Sequence, residues 1–339
     1  MPFGGNDWLA LTQEPTLEPG LPICDPHHHF WDGRTERMPY QRYLIHELAD
    51  DINSGHNVRS TVFIEARSMY RPHGPDQIRS VGEVEFVQGI AAASASGIYG
   101  EGRAASGIIG AANLDLGAEV ESVLEELQEA SPNRFRGIRS HTGYDPHPEI
   151  ESRAPEGRMA SANFRTGAQV LARMGLVMDI TAYFHQAGEM AEFARAVPDL
   201  PIIFNHIGGL LRVGPYGGRD DEVLAQWRES IDTVAACPNI YMKLGGLGQP
   251  RYGFDWHEWN RPIGSEALAE ALGPLMNYCI EKFGPERCMF ESNFPVDKVS
   301  FSYNVLFNAF KRLSSSYSAS ERAALFHDTA AGVYGIDYR

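Results

Sequence analysis

The chain is poor in the features that would place it in several large classes. Its 339 residues include only four cysteines, Cys24, Cys237, Cys279 and Cys288, and no two are spaced as C-x-x-C. A set this sparse excludes a disulfide-stapled fold and a zinc ribbon, and suits reduced, buried thiols in a cytoplasmic protein. Positive charge is scarce: 29 Lys and Arg stand against 44 Asp and Glu, a formal net charge of -15. Such an acidic surface argues against nucleic acid and anionic membrane as partners. It does not argue against an anionic small molecule, because a site carries its own Arg and His groups. No apolar run reaches the length of a membrane span. Residues 1–7 lack the basic-then-apolar order of a signal peptide, so no targeting segment is expected. Internal repeats, low-complexity tracts and a G-x-G-x-x-G after the first apolar run are also missing, and the last absence weakens a dinucleotide-binding fold.

What remains is an alternation. Apolar, β-branched runs predict strands at 21–24, 60–64, 107–112, 135–139, 176–181, 202–205, 240–244 and 288–291. Amphipathic stretches predict helices at 81–96, 118–130, 162–174, 188–196, 222–236, 265–283, 303–313 and 320–326. Eight strands alternating with helices predict a parallel α/β protein, a single-domain (β/α)8 TIM barrel spanning 21–339 behind an N-terminal arm, 1–20. Segments after strands are long (66–79, 140–161, 245–264), whereas those before strands are short. In a barrel the long loops surround the active site at the C-terminal face. They hold Arg67, Tyr70 and Trp256 as candidate substrate contacts, together with His141 and Arg251. Trp256 and Trp259 need cover from other side chains or from a ligand.

The most informative segment is Asp25-Pro26-His27-His28-His29-Phe30-Trp31-Asp32. On a strand, Asp25, His27 and His29 share one face and His28 takes the other. Two imidazoles so placed hold one cation or one anionic substrate. His185 and His206 follow the fifth and sixth strands and are expected at the same rim. On the eighth strand Glu291 and Asn293 share a face, Glu291 about one pleat (roughly 6–7 Å) deeper. Lys243, ending the seventh strand, is either an ion-pair partner of Glu291 or a substrate contact. Arg139, ending the fourth, offers its fork to a substrate carboxylate or oxyanion, or forms a salt bridge with Glu65.

With these residues in place the chain resembles the amidohydrolase-related family, in the branch of TIM-barrel hydrolases that holds sugar and dicarboxylate lactonases. The resemblance runs from about Asp25 to Tyr334. It rests on Asp25-x-His27-x-His29, the Arg-Gly-Ile-Arg ending at Arg139, Asn205-His206-Ile207-Gly208, Lys243-Leu244-Gly245-Gly246, Ser292-Asn293-Phe294-Pro295 and the closing Thr329-Ala330-Ala331-Gly332-Val333-Tyr334. It implies hydrolysis of a lactone, ester or amide of a small polar or aromatic molecule. In metal-using relatives the first-strand His pair, a strand-five group, the strand-six His and a strand-eight Asp surround one divalent ion, zinc or manganese; here strand five offers His185 and no Lys, and His27, His29 and His206 are the implied ligands. Many lactonases of the branch work without a metal. Asn293 stands where the family usually has that Asp, and a neutral amide is no general base. Glu291, Asp297, Asp25 or a metal-bound hydroxide are the substitutes to weigh. A metal-dependent decarboxylase and a catalytically inactive binding barrel are the other readings. The expected partner is a small-molecule substrate, and a homo-oligomer is left open.

Overall fold

The computed structural model describes residues 5–34 and 40–336. Eight strands follow in chain order: β1 (Pro22–His28), β2 (Asn57–Ile64), β3 (Arg103–Gly110), β4 (Phe135–His141), β5 (Val177–Thr181), β6 (Ile202–Phe204), β7 (Ile240–Leu244) and β8 (Cys288–Phe290). Each pairs in parallel with the next. The ring closes just beyond β8, where the Asn293 N–H donates to the His27 carbonyl and the His29 N–H to the Phe294 carbonyl, both at 2.8 Å. The fold is the (β/α)8 barrel that the alternation predicts.

Strands buried on both faces read as continuous apolar runs. One face of the sheet packs under the helices, and the other fills the barrel. Cys24, Val62, Ile64, Ile109, Val177, Ile203 and Met289 form the interior layer. Ala330, Ala331 and Tyr334, from and just after the helix Thr329–Val333, close it from below. This explains the closing motif: small residues let the helix approach, and Tyr334 enters the barrel. Its hydroxyl donates to Asp179 Oδ2 at 2.8 Å. A Tyr334→Phe variant is expected to lose about 1–3 kcal/mol, the cost of a buried acceptor deprived of its donor. A lower urea midpoint at unchanged m-value is the readout.

Several predicted bounds shift. β1 runs past Cys24 to His28, so the His-rich segment lies on the strand. β3 begins at Arg103, four residues before the expected start. Its first half, Arg103-Ala104-Ala105-Ser106, has weak strand propensity, but pairing of Arg103 with Ser60 recruits it. The expected helix at 320–326 is divided into Ala319–Ala323 and a wider turn, Ala324–Asp328. Residues 5–20 carry one short helix, Gly5–Leu9, and lie against the outer helices. Glu14 accepts from the Ser265 N–H at 2.7 Å, and Arg322 forks onto Glu18 with two contacts of 2.7 Å.

Candidate active site

The floor of the barrel mouth is a set of buried imidazoles and charges. β1 supplies His27, and the residue directly after it is His29; their Nε2 atoms lie 3.2 Å apart. The Nδ1–H of His29 donates to the Ile64 carbonyl at 2.8 Å. Glu291, directly after β8, sits between two rings. Its Oε1 accepts from His206 Nδ1 at 2.7 Å, and its Oε2 lies 2.7 Å from His27 Nδ1, off the line of a hydrogen bond. β7 supplies Lys243, which pairs with Asp179 of β5 at 2.5 Å and lies 3.4 Å from His27 Nδ1. The Lys243–Glu291 ion pair weighed from sequence is therefore replaced by Lys243–Asp179, because the inward face of β5 brings an acid closer.

Beside this floor, Arg139 and Glu65 do form the expected salt bridge, at 2.8 Å. Arg139 keeps Nη1 3.4 Å from His27 Nε2. His141 donates from Nε2 to the same Glu65 oxygen at 2.9 Å and accepts at Nδ1 from the Thr181 hydroxyl at 2.8 Å. In-register pairing of Arg139 with Asp179 and of His141 with Thr181 sets these neighbours side by side.

Burial sets the protonation pattern. It drives His27, His29 and His206 well below the ordinary imidazole value, so they are neutral rings. Burial pushes Glu291 up to about 8. It would raise Glu65 too, but the Arg139 charge and the His141 hydrogen bond outweigh it and hold that carboxylate down.

Local backbone explains two of the motifs. His206, Ile207, Gly208 and Gly209 all have positive φ, from 47° to 75°, a turn that swings His206 onto Glu291. A Cβ on Gly246 would stand 2.1 Å from His206 Nδ1, and one on Gly245 2.5 Å from Glu291 Cγ. The paired glycines after Lys243-Leu244 thus leave room for the His–Glu contact. A Gly246→Ala variant is expected to displace His206 and lose most turnover, which activity assays on folded protein would show.

Above the floor opens a cavity of about 490 Å³. Of the candidate residues, His29, Glu65, Arg67, Arg139, His141, His206, Arg251 and Asn293 line it. His27, Glu291 and Lys243 lie fully buried beneath. Others are not brought together. His185 meets Asp145 at 2.9 Å, stacks on Tyr216 and stays off the cavity. The segment after β5 turns into a short helical stretch, Phe184–Gln186, which carries His185 outward. A His185→Ala variant is expected to keep turnover while loosening the 142–161 loop, visible as faster amide exchange there. Trp256 is covered by Phe254, stacked at 4.3 Å, and Tyr70 also lies off the cavity. Asp25 does not share the face of His27. Its oxygens take the Ser292 N–H at 2.9 Å and the Tyr303 hydroxyl at 3.1 Å, because the register shifts between Asp25 and His28 around Pro26. Asn293 donates its amide to Asp297 at 2.8 Å, and Asp297 also takes the Gly248 N–H, so neither Asp297 nor Asp25 reaches the cavity.

Arg34, Arg153, Tyr183 and Asp179 were not singled out from sequence. Asp179 left one signal: an acid at the centre of the apolar run Val177–Thr181. Arg34 and Arg153 lie on irregular loops and left none.

The amidohydrolase profile matches residues 24–336. The chain belongs to the amidohydrolase family. This amidohydrolase is 34% identical to the uncharacterised protein y4mH of Sinorhizobium fredii, over 93% of this chain and 99% of the other. It is 28% identical to an L-fucono-1,5-lactonase of Burkholderia multivorans, over 62% of this chain and 67% of the relative. Its fold matches a crystal structure of a Burkholderia multivorans amidohydrolase with bound zinc. The TM-score is 0.71 at 22% identity, covering 93% of this chain and 99% of that one.

Proposed function

We propose that this amidohydrolase hydrolyses a lactone, or a related ester or amide, of a small polar molecule. One observation carries the reading. Glu291 holds His206 by Nδ1 at 2.7 Å, which leaves Nε2 as the nitrogen offered to a cavity that Arg139 also lines. A neutral ring with a fixed tautomer is a general base. Water on the substrate carbonyl gives its proton to His206 Nε2 as the new C–O bond forms. The Arg139 guanidinium faces the developing oxyanion, an interaction among the largest catalytic effects. The acyl–oxygen bond of the ring then breaks, and His206 returns the proton to the leaving oxygen. Glu291 touches no substrate in this scheme. It positions His206 and offsets the charge that the ring acquires, the part played by the aspartate of a Ser-His-Asp triad. Asn293, tied to Asp297, is left a binding role through its carbonyl.

The donor set also suits a divalent ion. The Nδ1 atoms of His29 and His206 are held by the Ile64 carbonyl and by Glu291 Oε1, as metal-bound imidazoles are commonly braced. Donors from His27, His206 and Glu291 lie within 4.8 Å of one another. In this second reading zinc or manganese would be held by His27, His29 and His206, whose Nε2 would then be a ligand and not the base, and the ion would supply Lewis-acid polarisation of the carbonyl and a more acidic water.

The test is a panel of lactones and esters assayed by proton release and of amides assayed by amine release, with and without added zinc or manganese, alongside metal analysis of the purified protein. Ring opening of at least one lactone, lost in a His206→Ala variant, is the expected result. An inert panel under every condition would sink the proposal.

A further inference from the structure

We propose that Glu83, a buried acid that the hydrolytic scheme leaves out, is a positioning residue: it fixes the peptide group that Arg139 grips from the other side. This rests on the hydrolase reading above and adds a residue to its machinery.

Arg139 binds Glu65 twice. Its Nε donates to Glu65 Oε1 at 2.8 Å, and its Nη2 donates to the Glu65 carbonyl. That carbonyl belongs to the peptide joining Glu65 to Ala66. The N–H of the same peptide donates to Glu83 Oε1 at 2.9 Å, and the Ser68 N–H donates to the same oxygen at 2.8 Å. One peptide is thus held at its oxygen by Arg139 and at its nitrogen by Glu83. Were it to rotate, its carbonyl would leave the guanidinium that faces the oxyanion. Strain in the turn favours such a rotation, because Arg67 and Met69 have positive φ, 56° and 53°, which L side chains adopt at a cost. The turn therefore depends on an outside acceptor for its N–H groups. It is also seated closely. Glu83 lies in the first turn of the helix Val81–Ala95, and a Cβ on its neighbour Gly82 would stand 2.6 Å from the Arg71 nitrogen and 2.7 Å from the Met69 carbonyl oxygen.

Glu83 does this as a neutral acid. It is fully buried and forms no ion pair among the described residues. Both N–H groups go to Oε1, so the proton belongs on Oε2, which no donor among the described residues reaches. Burial first, and then the nearby Glu65 charge, raise its carboxyl far above the ordinary carboxylate range. Neutrality suits the task. Glu65 spends its charge on Arg139 and His141, and an uncharged Glu83 serves the turn without drawing Arg139 away. Glu65, Ala66 and Arg67 all line the cavity, so the turn that Glu83 holds is itself a wall of the site.

The test uses the lactone that the wild-type enzyme opens fastest in the panel above. Glu83→Met keeps the volume and removes the acceptor. Glu83→Gln keeps an oxygen for both N–H groups and places its NH2 where the acid has its hydroxyl. Glu83→Met is expected to lose at least about thirtyfold in kcat with KM changed by less than about threefold, because a displaced oxyanion donor acts on the transition state. Glu83→Gln is expected to stay near the wild-type values. A wild-type kcat in Glu83→Met, a loss carried by KM, or a Glu83→Gln as impaired as Glu83→Met would overturn the assignment and leave the hydrolase reading standing. Should Glu83→Met fail to fold, Glu83→Asp takes its place: its carboxyl is one methylene short of the turn, a lowered kcat upholds the assignment and a wild-type kcat overturns it. If the wild type opens no lactone, the hydrolase reading fails on its own panel, and amide exchange across 65–69 decides the role of Glu83. Exchange of the Ala66 and Ser68 amides at least about tenfold faster in Glu83→Met, the scale of one lost hydrogen bond, and unchanged in Glu83→Gln upholds it. Equal exchange in all three proteins overturns it.

Discussion

Glu291→Gln is expected to lower kcat by about 10³–10⁴-fold, the cost of neutralising the carboxylate behind a catalytic histidine. The protein is expected to remain folded, since the amide fills the same volume. Glu291 accepts from His206 and also faces His27 Nδ1. An amide offers one oxygen and one N–H, and it can turn either towards His206 Nδ1. The tautomer of His206 is no longer fixed, and the imidazolium formed during catalysis loses its counter-charge. The pH profile separates this role from a merely structural one. Burial raises the carboxyl to about 8, so below that pH the group is protonated and above it charged. A carboxylate makes His206 the stronger base. Wild-type kcat/KM should therefore rise with pH towards about 8 and level off above it. That limb should be missing in Glu291→Gln. A wild-type profile that is flat across this range, or a variant that keeps the limb, would remove Glu291 from the mechanism.

Lys243→Met is expected to cost about 3–5 kcal/mol of stability, the penalty for leaving one member of a buried ion pair alone. Lys243 and Asp179 are both fully buried at 2.5 Å. Asp179 also takes the Asn205 amide and the Tyr334 hydroxyl, both at 2.8 Å. The side chain of Lys243 is thus the cation that lets a carboxylate sit inside the barrel. Adding Asp179→Asn to Lys243→Met should recover much of the loss, because the pair is then removed as a unit. Urea midpoints of the two single variants and the double variant give the coupling. A raised KM at unchanged stability would return Lys243 to the substrate-contact role suggested by its place at the end of β7.

The two expectations show what could be read along the chain. The eight apolar runs were legible because a parallel strand buried on both faces leaves a continuous hydrophobic signature that needs no partner to be seen. His27 and His29 were legible as a pair because alternation is a local rule. Asp25 was not, since Pro26 and the register shift interrupt that rule. His185 was misplaced for a related reason: its strand ends at Thr181, and the turn that follows sets a direction that strand geometry does not describe.

The sequence by itself determined the barrel, the family, the paired imidazoles at the end of β1 and the replacement of the usual strand-eight acid by Asn293. Those are properties of local pattern and residue identity. Only the tertiary structure decided which charge meets which. It set Lys243 against Asp179 and not Glu291, placed Glu291 behind His206, and faced arginines from several loops into one cavity. Such pairings depend on distances between strands remote in sequence, and a few ångströms there decide whether two charges stabilise each other or stand alone.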